Sequence, residues 1–226
     1  NIYFRNKMKK FITILTSLFI FVTVSAKADI GMGITAAYHM LDGDGTETTR
    51  DSSEKNTGSH SEEVLVPELF IEAVTDSGTI GLSYIPTKEV GSESRKDTST
   101  SGDSQDTGTY KAEAELDNVI QVYADLPMTE MMGYPIHLKL GIQHATLATL
   151  ESLNSGSSYP DQDLLGYTIG FGTKGDLDYG NNLYYKAEAA YTDFEDYSEN
   201  DEAGTGNKVT AELEDIALKL SVGYKF

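Results

Sequence analysis

The sequence predicts an all-β protein: a membrane-spanning, antiparallel, up-and-down β-barrel of eight strands, preceded by a cleavable signal peptide. Three observations carry this expectation. Eight segments place apolar residues at every second position, the period of a strand with one greasy and one wet face. A basic, then apolar, then small-residue stretch comes before them. The connections between the segments alternate between long polar ones and short ones.

The leading stretch is Met8-Lys9-Lys10, then the apolar run from Phe11 to Val24, then Ser25-Ala26-Lys27-Ala28. Ala26 and Ala28 are the small residues of an A-x-A cleavage site. The run, at about 14 residues, is short for a transmembrane helix. Residues 1–28 therefore read as a signal peptide, with 1–7 upstream of a start at Met8, and residues 29–226 as the barrel domain. The sequence has 17 Lys+Arg, 36 Asp+Glu and no Cys. Five of the basic residues and none of the acidic ones fall in 1–28, so the remainder carries 12 against 36, a formal −24. Such acidity excludes a nucleic-acid partner, which needs a basic footprint. The absence of Cys excludes disulfides and thiol chemistry.

The stripes follow in order. Gly31 to Met40 sets Met32, Ile34, Ala36 and Tyr38 on one face. Residues 63–74 set Leu65, Leu69 and Ile71 there, less cleanly, because Val64, Val66 and Phe70 share the other face and Pro67 cannot donate a ladder hydrogen bond. Thr79 to Lys88 offers Ile80, Leu82 and Tyr84. Tyr110 to Leu126 is the longest, and Asn118 breaks its apolar face. Ile136 to Ala148, Leu164 to Thr173 and Leu183 to Phe194 repeat the pattern. The last, Leu213 to Phe226, alternates most strictly: Ile216, Leu218, Leu220, Val222, Tyr224 and Phe226 against Asp215, Ala217, Lys219, Ser221, Gly223 and Lys225. Each stripe is long enough to cross a bilayer as a tilted strand.

Residues 42–61, 89–109, 149–163 and 197–208 are long and polar, whereas 75–78, 127–135 and 174–182 are shorter. With these stripes, the signal peptide and the closing Val222-Gly223-Tyr224-Lys225-Phe226, the chain resembles the small eight-stranded outer-membrane proteins of Gram-negative bacteria, the OmpA-barrel, OmpX and opacity-protein-like group. The resemblance implies a bacterial outer-membrane location, periplasmic termini and extracellular long loops. It also implies that Val222, Tyr224 and Phe226 form a signal read by the outer-membrane assembly machinery, and that the chain's surroundings are outer-membrane lipid and lipopolysaccharide.

If the apolar face meets lipid, the other face lines the lumen. It collects Glu68, Glu72, Glu113, Glu115, Asp117, His137, Lys139, Lys186, Glu188, Asp215 and Lys219. An eight-stranded barrel is just wide enough for side chains to fill it, so these charges are expected as a paired polar plug. A narrow cation-preferring pore is the alternative. Neither catalytic nor cofactor-binding residues are assigned, and no metal site: His39, His60, His137 and His144 have no nucleophile at a defensible spacing, although an outer-membrane enzyme with a rim His stays open. Asp42-Gly43-Asp44-Gly45 fails as a calcium loop, because its sixth and twelfth positions are Glu47 and Ser53. Weak divalent-cation binding at the acidic loops stays open too. The expected function is that of a monomeric, non-enzymatic structural or surface-interaction protein displaying four long acidic loops, with a small porin-like channel as the alternative.

Overall fold

The computed structural model describes residues 28–48, 55–97, 108–152, 158–177, 182–202 and 206–226. Of the expected signal peptide only Ala28 is among them, and it is exposed; Ala26 lies outside. The strands are β1 (Asp29–Thr48), β2 (Lys55–Thr75), β3 (Gly78–Ile85), β4 (Lys88–Asp97), β5 (Gly108–Met131), β6 (Tyr134–Ser152), β7 (Gln162–Asp176), β8 (Leu183–Phe194), β9 (Tyr197–Asn200) and β10 (Lys208–Lys225). They form one antiparallel sheet, β1-β2-β3-β5-β6-β7-β8-β10, which closes where β10 pairs with β1. β4 continues β3 along β5, and β9 continues β8 along β10, so the ring has eight staves. It is a membrane-spanning, up-and-down barrel.

The outward side chains explain why this sheet suits lipid. Ile34 lies between Leu69 and Val222 in the register, and the three are 58%, 59% and 50% exposed. Leu82, Ile169, Phe171, Leu218 and Leu220 extend the band around the barrel. A soluble barrel would bury these residues; a barrel in a bilayer turns them outward. At the end that carries the termini two connections are tight, closing at Thr75↔Gly78 and Met131↔Tyr134. Met132 and Gly133 form a two-residue hairpin with φ of 55° and 83°, the paired positive values of a type I′ turn. The Phe226 amide donates to the Ile30 carbonyl at 2.9 Å and secures the closing seam.

At the other end the strands outrun the bilayer. β1, β2, β5 and β6 have 20, 21, 24 and 19 residues, where about 9–11 suffice to span. Residues expected as polar loops in 42–61 and 89–109 are therefore largely strand: β1 runs to Thr48, β2 starts at Lys55, and β4 occupies Lys88–Asp97. Ser59, Ser61, Glu89 and Ser92 are exposed, but the backbone around them pairs in the β1–β2 and β4–β5 ladders. Polar composition reports what a face meets, not whether the backbone is paired.

Two irregularities shape this extension. The β2–β3 ladder runs from Thr75↔Gly78 to Leu69↔Tyr84, and two residues further the same register sets Pro67 opposite Pro86. Neither can donate an N–H, and the ladder ends there. Among the described residues no pairing joins β2 to β4, which leaves a seam in the wall. On the next stave, β5 carries one extra residue against β6 between Asp117 and Ile120, and Asn118 takes φ 53° at this bulge.

Candidate functional site

The lumen is filled, and by two different chemistries. Nearest the termini, Glu72 accepts hydrogen bonds from the Tyr123 and Tyr184 hydroxyls at 2.7 and 2.8 Å and from Lys174 at 2.6 Å. Tyr184 is fully buried, and Gly31 and Gly223 make room for its ring: a Cβ at either would come within 2.4 Å of it. Lys186 reaches Asp125 at 2.7 Å, Glu72 at 3.2 Å and Glu188 at 3.4 Å. Lys139 reaches Asp125 at 2.8 Å and Glu188 at 3.0 Å, and lies 3.6 Å from the Tyr123 ring centroid, a cation–π contact. His137 Nε2 lies 3.0 Å from Glu188.

A second charged group follows along the axis. Lys219 reaches Glu68 at 2.8 Å, and Lys88 reaches Asp215 at 2.8 Å. His39 bridges the two carboxylates, with Nε2 3.3 Å from Glu68 and Nδ1 2.8 Å from Asp215. Beside it lie hydroxyl and amide bonds: Thr35 to Ser221 at 2.8 Å, Gln121 to Thr168 at 2.9 Å, Gln143 to Thr192 at 3.1 Å. Five lysines thus face five carboxylates, one for one. The acidity of the chain lies elsewhere, on the outside of the barrel and in its loops. The space left among Thr35, Phe70, Tyr123, Lys186 and Lys219 is about 10 Å³, at the lower limit for one water.

Above His39 and Asp215 the lining turns apolar. Leu41, Val66, Ile85, Leu116, Val119, Leu164, Phe194 and Leu213 form a buried cluster across the whole bore. On the same stretch the outer face becomes charged: Asp42, Asp44, Glu89, Glu212 and Glu214 are exposed. The barrel therefore inverts along its own strands. Near the termini it is polar inside and apolar outside; toward the loops it is apolar inside and charged outside, as in a soluble barrel.

The residues expected in the lumen divide accordingly. Glu68, Glu72, His137, Lys139, Lys186, Glu188, Asp215 and Lys219 lie together in the plug. Glu113, Glu115 and Asp117 do not. The bulge at Asn118 shifts the phase of β5, so Leu116 points inward, Glu115 shares the outer face with its register partner Glu89, and Asp117 accepts a hydrogen bond from Thr87 on that face. Residues not anticipated are Lys88, Asp125, Lys174 and the apolar cluster; His39, Tyr123 and Tyr184 fall on the inward faces of their stripes in the alternation but were given no place in the charged network. The cluster had a signal. Met40-Leu41 and Glu214-Asp215 are adjacent residues of one kind, and each marks where polarity changes sides while the strand geometry runs on.

Val222, Tyr224 and Phe226 all face outward, and the last two rings meet edge to face at 5.0 Å. His144 lies on the outside, 3.9 Å from Asp163, and His60 lies near the loop end, 3.4 Å from Glu62. His39 and Asp215 make the only fully buried His–Asp contact among the described residues, but Lys88 holds the same carboxylate and the apolar cluster lies above it. Oxygen and nitrogen atoms of Asp125, His137 and Glu188 lie within 4.8 Å of one another. Lys139 and Lys186 already neutralise both carboxylates there, which argues against a cation.

No family model matches the chain, and no curated protein matches it in sequence. Among solved structures it is similar to outer membrane protein AlkL in lipid bilayers, at 10% identity over 88% of this chain and 90% of that one, with a TM-score of 0.52. OprG of Pseudomonas aeruginosa aligns at 14% identity over 88% and 97%, with a TM-score of 0.48. The outer membrane protease OmpT of Escherichia coli aligns at 12% over 90% and 100%, also at 0.48. The likeness is one of fold: this chain has the fold of the small outer-membrane β-barrels.

Proposed function

We propose that the protein is a non-conducting barrel of the bacterial outer membrane, a structural and surface-interaction protein whose acidic outer end meets the environment. One observation carries this reading: paired lysines and carboxylates, with only about 10 Å³ left among Thr35, Tyr123, Lys186 and Lys219, close the bore at the level of the outer apolar band. A path for hydrated ions would need those ion pairs to part, at a cost of several kcal/mol for each charge left buried and unpaired. In this reading the termini are periplasmic and the long connections extracellular, residues 1–28 are removed on export, and the chain works as a monomer. The outward Val222, Tyr224 and Phe226 suit recognition by the assembly machinery. The exposed carboxylates suit contact with lipopolysaccharide through divalent cations, and no reaction is assigned to the barrel.

The test is conductance across a planar bilayer, with protein from Asp29 onward refolded and shown to migrate differently before and after boiling. Silence is the expected outcome. Discrete steps preferring cations would overturn the closed-barrel reading in favour of a small channel, and Lys139, Lys186 and Lys219 would then be the residues that set its selectivity.

A further inference from the structure

Above the apolar cluster the extended strands line an open-mouthed cavity of about 340 Å³. Its floor and walls are Val90, Ala114, Leu147, Ala211 and Leu213, and Gly43, Gly45 and Gly58 face it without side chains. A Cβ at Gly43 or Gly45 would find no atom nearer than 3.8 Å, and one at Gly58 would find nothing within 4 Å. The glycines are therefore not forced by crowding; they leave space. One imidazole stands in the wall: the His60 ring lies against Gly91, where a Cβ would come within 2.7 Å of it, and Glu62 holds its Nε2 at 3.4 Å. The cavity also adjoins the β2–β4 seam opened by Pro67 and Pro86, since both strands line it.

We propose that this cavity is a binding site for a small apolar molecule, neutral or cationic, with one polar group directed at His60. The size fits: a dry cavity of about 150 Å³ takes benzene, and pockets for small ligands start at about 300 Å³. The surface it offers is mostly apolar, although Ser92, Glu113 and Thr149 also border it. The chain has little of its own to fill it. Residues 49–54, 98–107, 153–157 and 203–205, which lie between these strands, offer only Leu153 and Ala203 as apolar side chains. The charge of the ligand follows from the rim. Asp44, Glu62 and Glu212 lie at or beside the cavity, and their field disfavours an anion. The bound molecule goes no further along the axis, because the plug closes the bore below. Binding is thus independent of the closed-barrel reading: it is compatible with silence or with conductance.

The experiment is methyl NMR of the refolded protein (from Asp29) in lipid nanodiscs, titrated with 2-naphthalenemethanol and, separately, with 2-naphthoate. The expected result is saturable shifts of the Val90, Leu147 and Leu213 methyls with the alcohol, while the lipid-facing Leu220 and Ile169 methyls move only in proportion to probe dissolved in the bilayer. Gly45→Leu, or Gly58→Leu should the first fold poorly, fills the cavity and should weaken the saturable shifts at least tenfold. Naphthoate should bind at least tenfold more weakly than the alcohol. Cavity methyls that move linearly with the lipid-facing ones, or affinity unchanged in the filled variants, would overturn the site. Equal affinity for naphthoate would overturn the charge preference.

Discussion

Near the termini the bore is filled by Lys139, Lys174 and Lys186 against Glu72, Asp125 and Glu188, inside a wall whose outer face is Leu, Ile and Phe. Some residues further along the same strands it is filled by Leu41, Leu116, Leu164 and Leu213, inside a wall whose outer face is Asp and Glu. The two regions share one ladder and one register, yet each is the chemical inverse of the other. What changes between them is the medium outside. Where lipid surrounds the wall, the apolar side chains are needed there, and the bore receives the polar ones, which are tolerable only as a complete set of pairs. Where water surrounds the wall, the ordinary preference returns and burial of apolar surface fills the bore. The switch, at His39/Leu41 on β1 and Asp215/Leu213 on β10, therefore marks the outer limit of the lipid-facing band.

The comparison predicts that the two fillings fail differently. Lys186→Met should have the larger effect. It leaves Asp125, Glu72 and Glu188 short of a shared cation, and breaking a buried charge set in this way costs about 3–5 kcal/mol. Urea unfolding from lipid vesicles measures it. A loss below about 1 kcal/mol would mean that water reaches the plug and screens it. In the apolar region Leu164→Ala should cost roughly 2–4 kcal/mol, through lost burial and a residual void. Its loss should be indifferent to salt, whereas that of Lys186→Met should shrink if ions enter the bore. Equal salt responses would erase the distinction between the two regions.

Much of this was legible in the sequence. Strict alternation in Leu213–Phe226 and its seven companions gives the staves, and on eight of the plug residues it also gives the side, because β2, β6, β8 and β10 run without a phase change through the lipid band. Asp125 lies on the same face as Tyr123 but near the end of its stripe, and Lys88 beyond Pro86, where a period of two stops being a guide. His39 and Lys174 sit on wet faces that read as unremarkable until the register brings them to a carboxylate. The length of the strands was hidden by the Ser, Thr and Gly that line them, and the inversion by the assumption that one face keeps one chemistry along a whole strand.

β5 is where that assumption and the count fail together, and the smallest predicted effect sits there. Glu115 and Asp117 are out, Glu113 lies beyond the plug beside the cavity, and Leu116 is in, because the strand spends one residue at Asn118 without a partner on β6. Asn118 is exposed and left-handed at φ 53°, a conformation that Asn and Gly adopt readily and β-branched residues resist. If the bulge sets the faces, Asn118→Gly should leave stability within about 0.5 kcal/mol of the parent, and Asn118→Val should lose about 1–2 kcal/mol, the cost of the left-handed region for an ordinary side chain. Unfolding in lipid vesicles gives the stability. Cysteine accessibility at Glu115→Cys, in a chain with no other Cys, gives the face: it should react with a membrane-impermeant maleimide in the parent and in the Gly variant alike. A protected Glu115→Cys would return the acidic triplet to the lumen and leave Leu116 facing out, and the apolar layer would then lose its β5 wall.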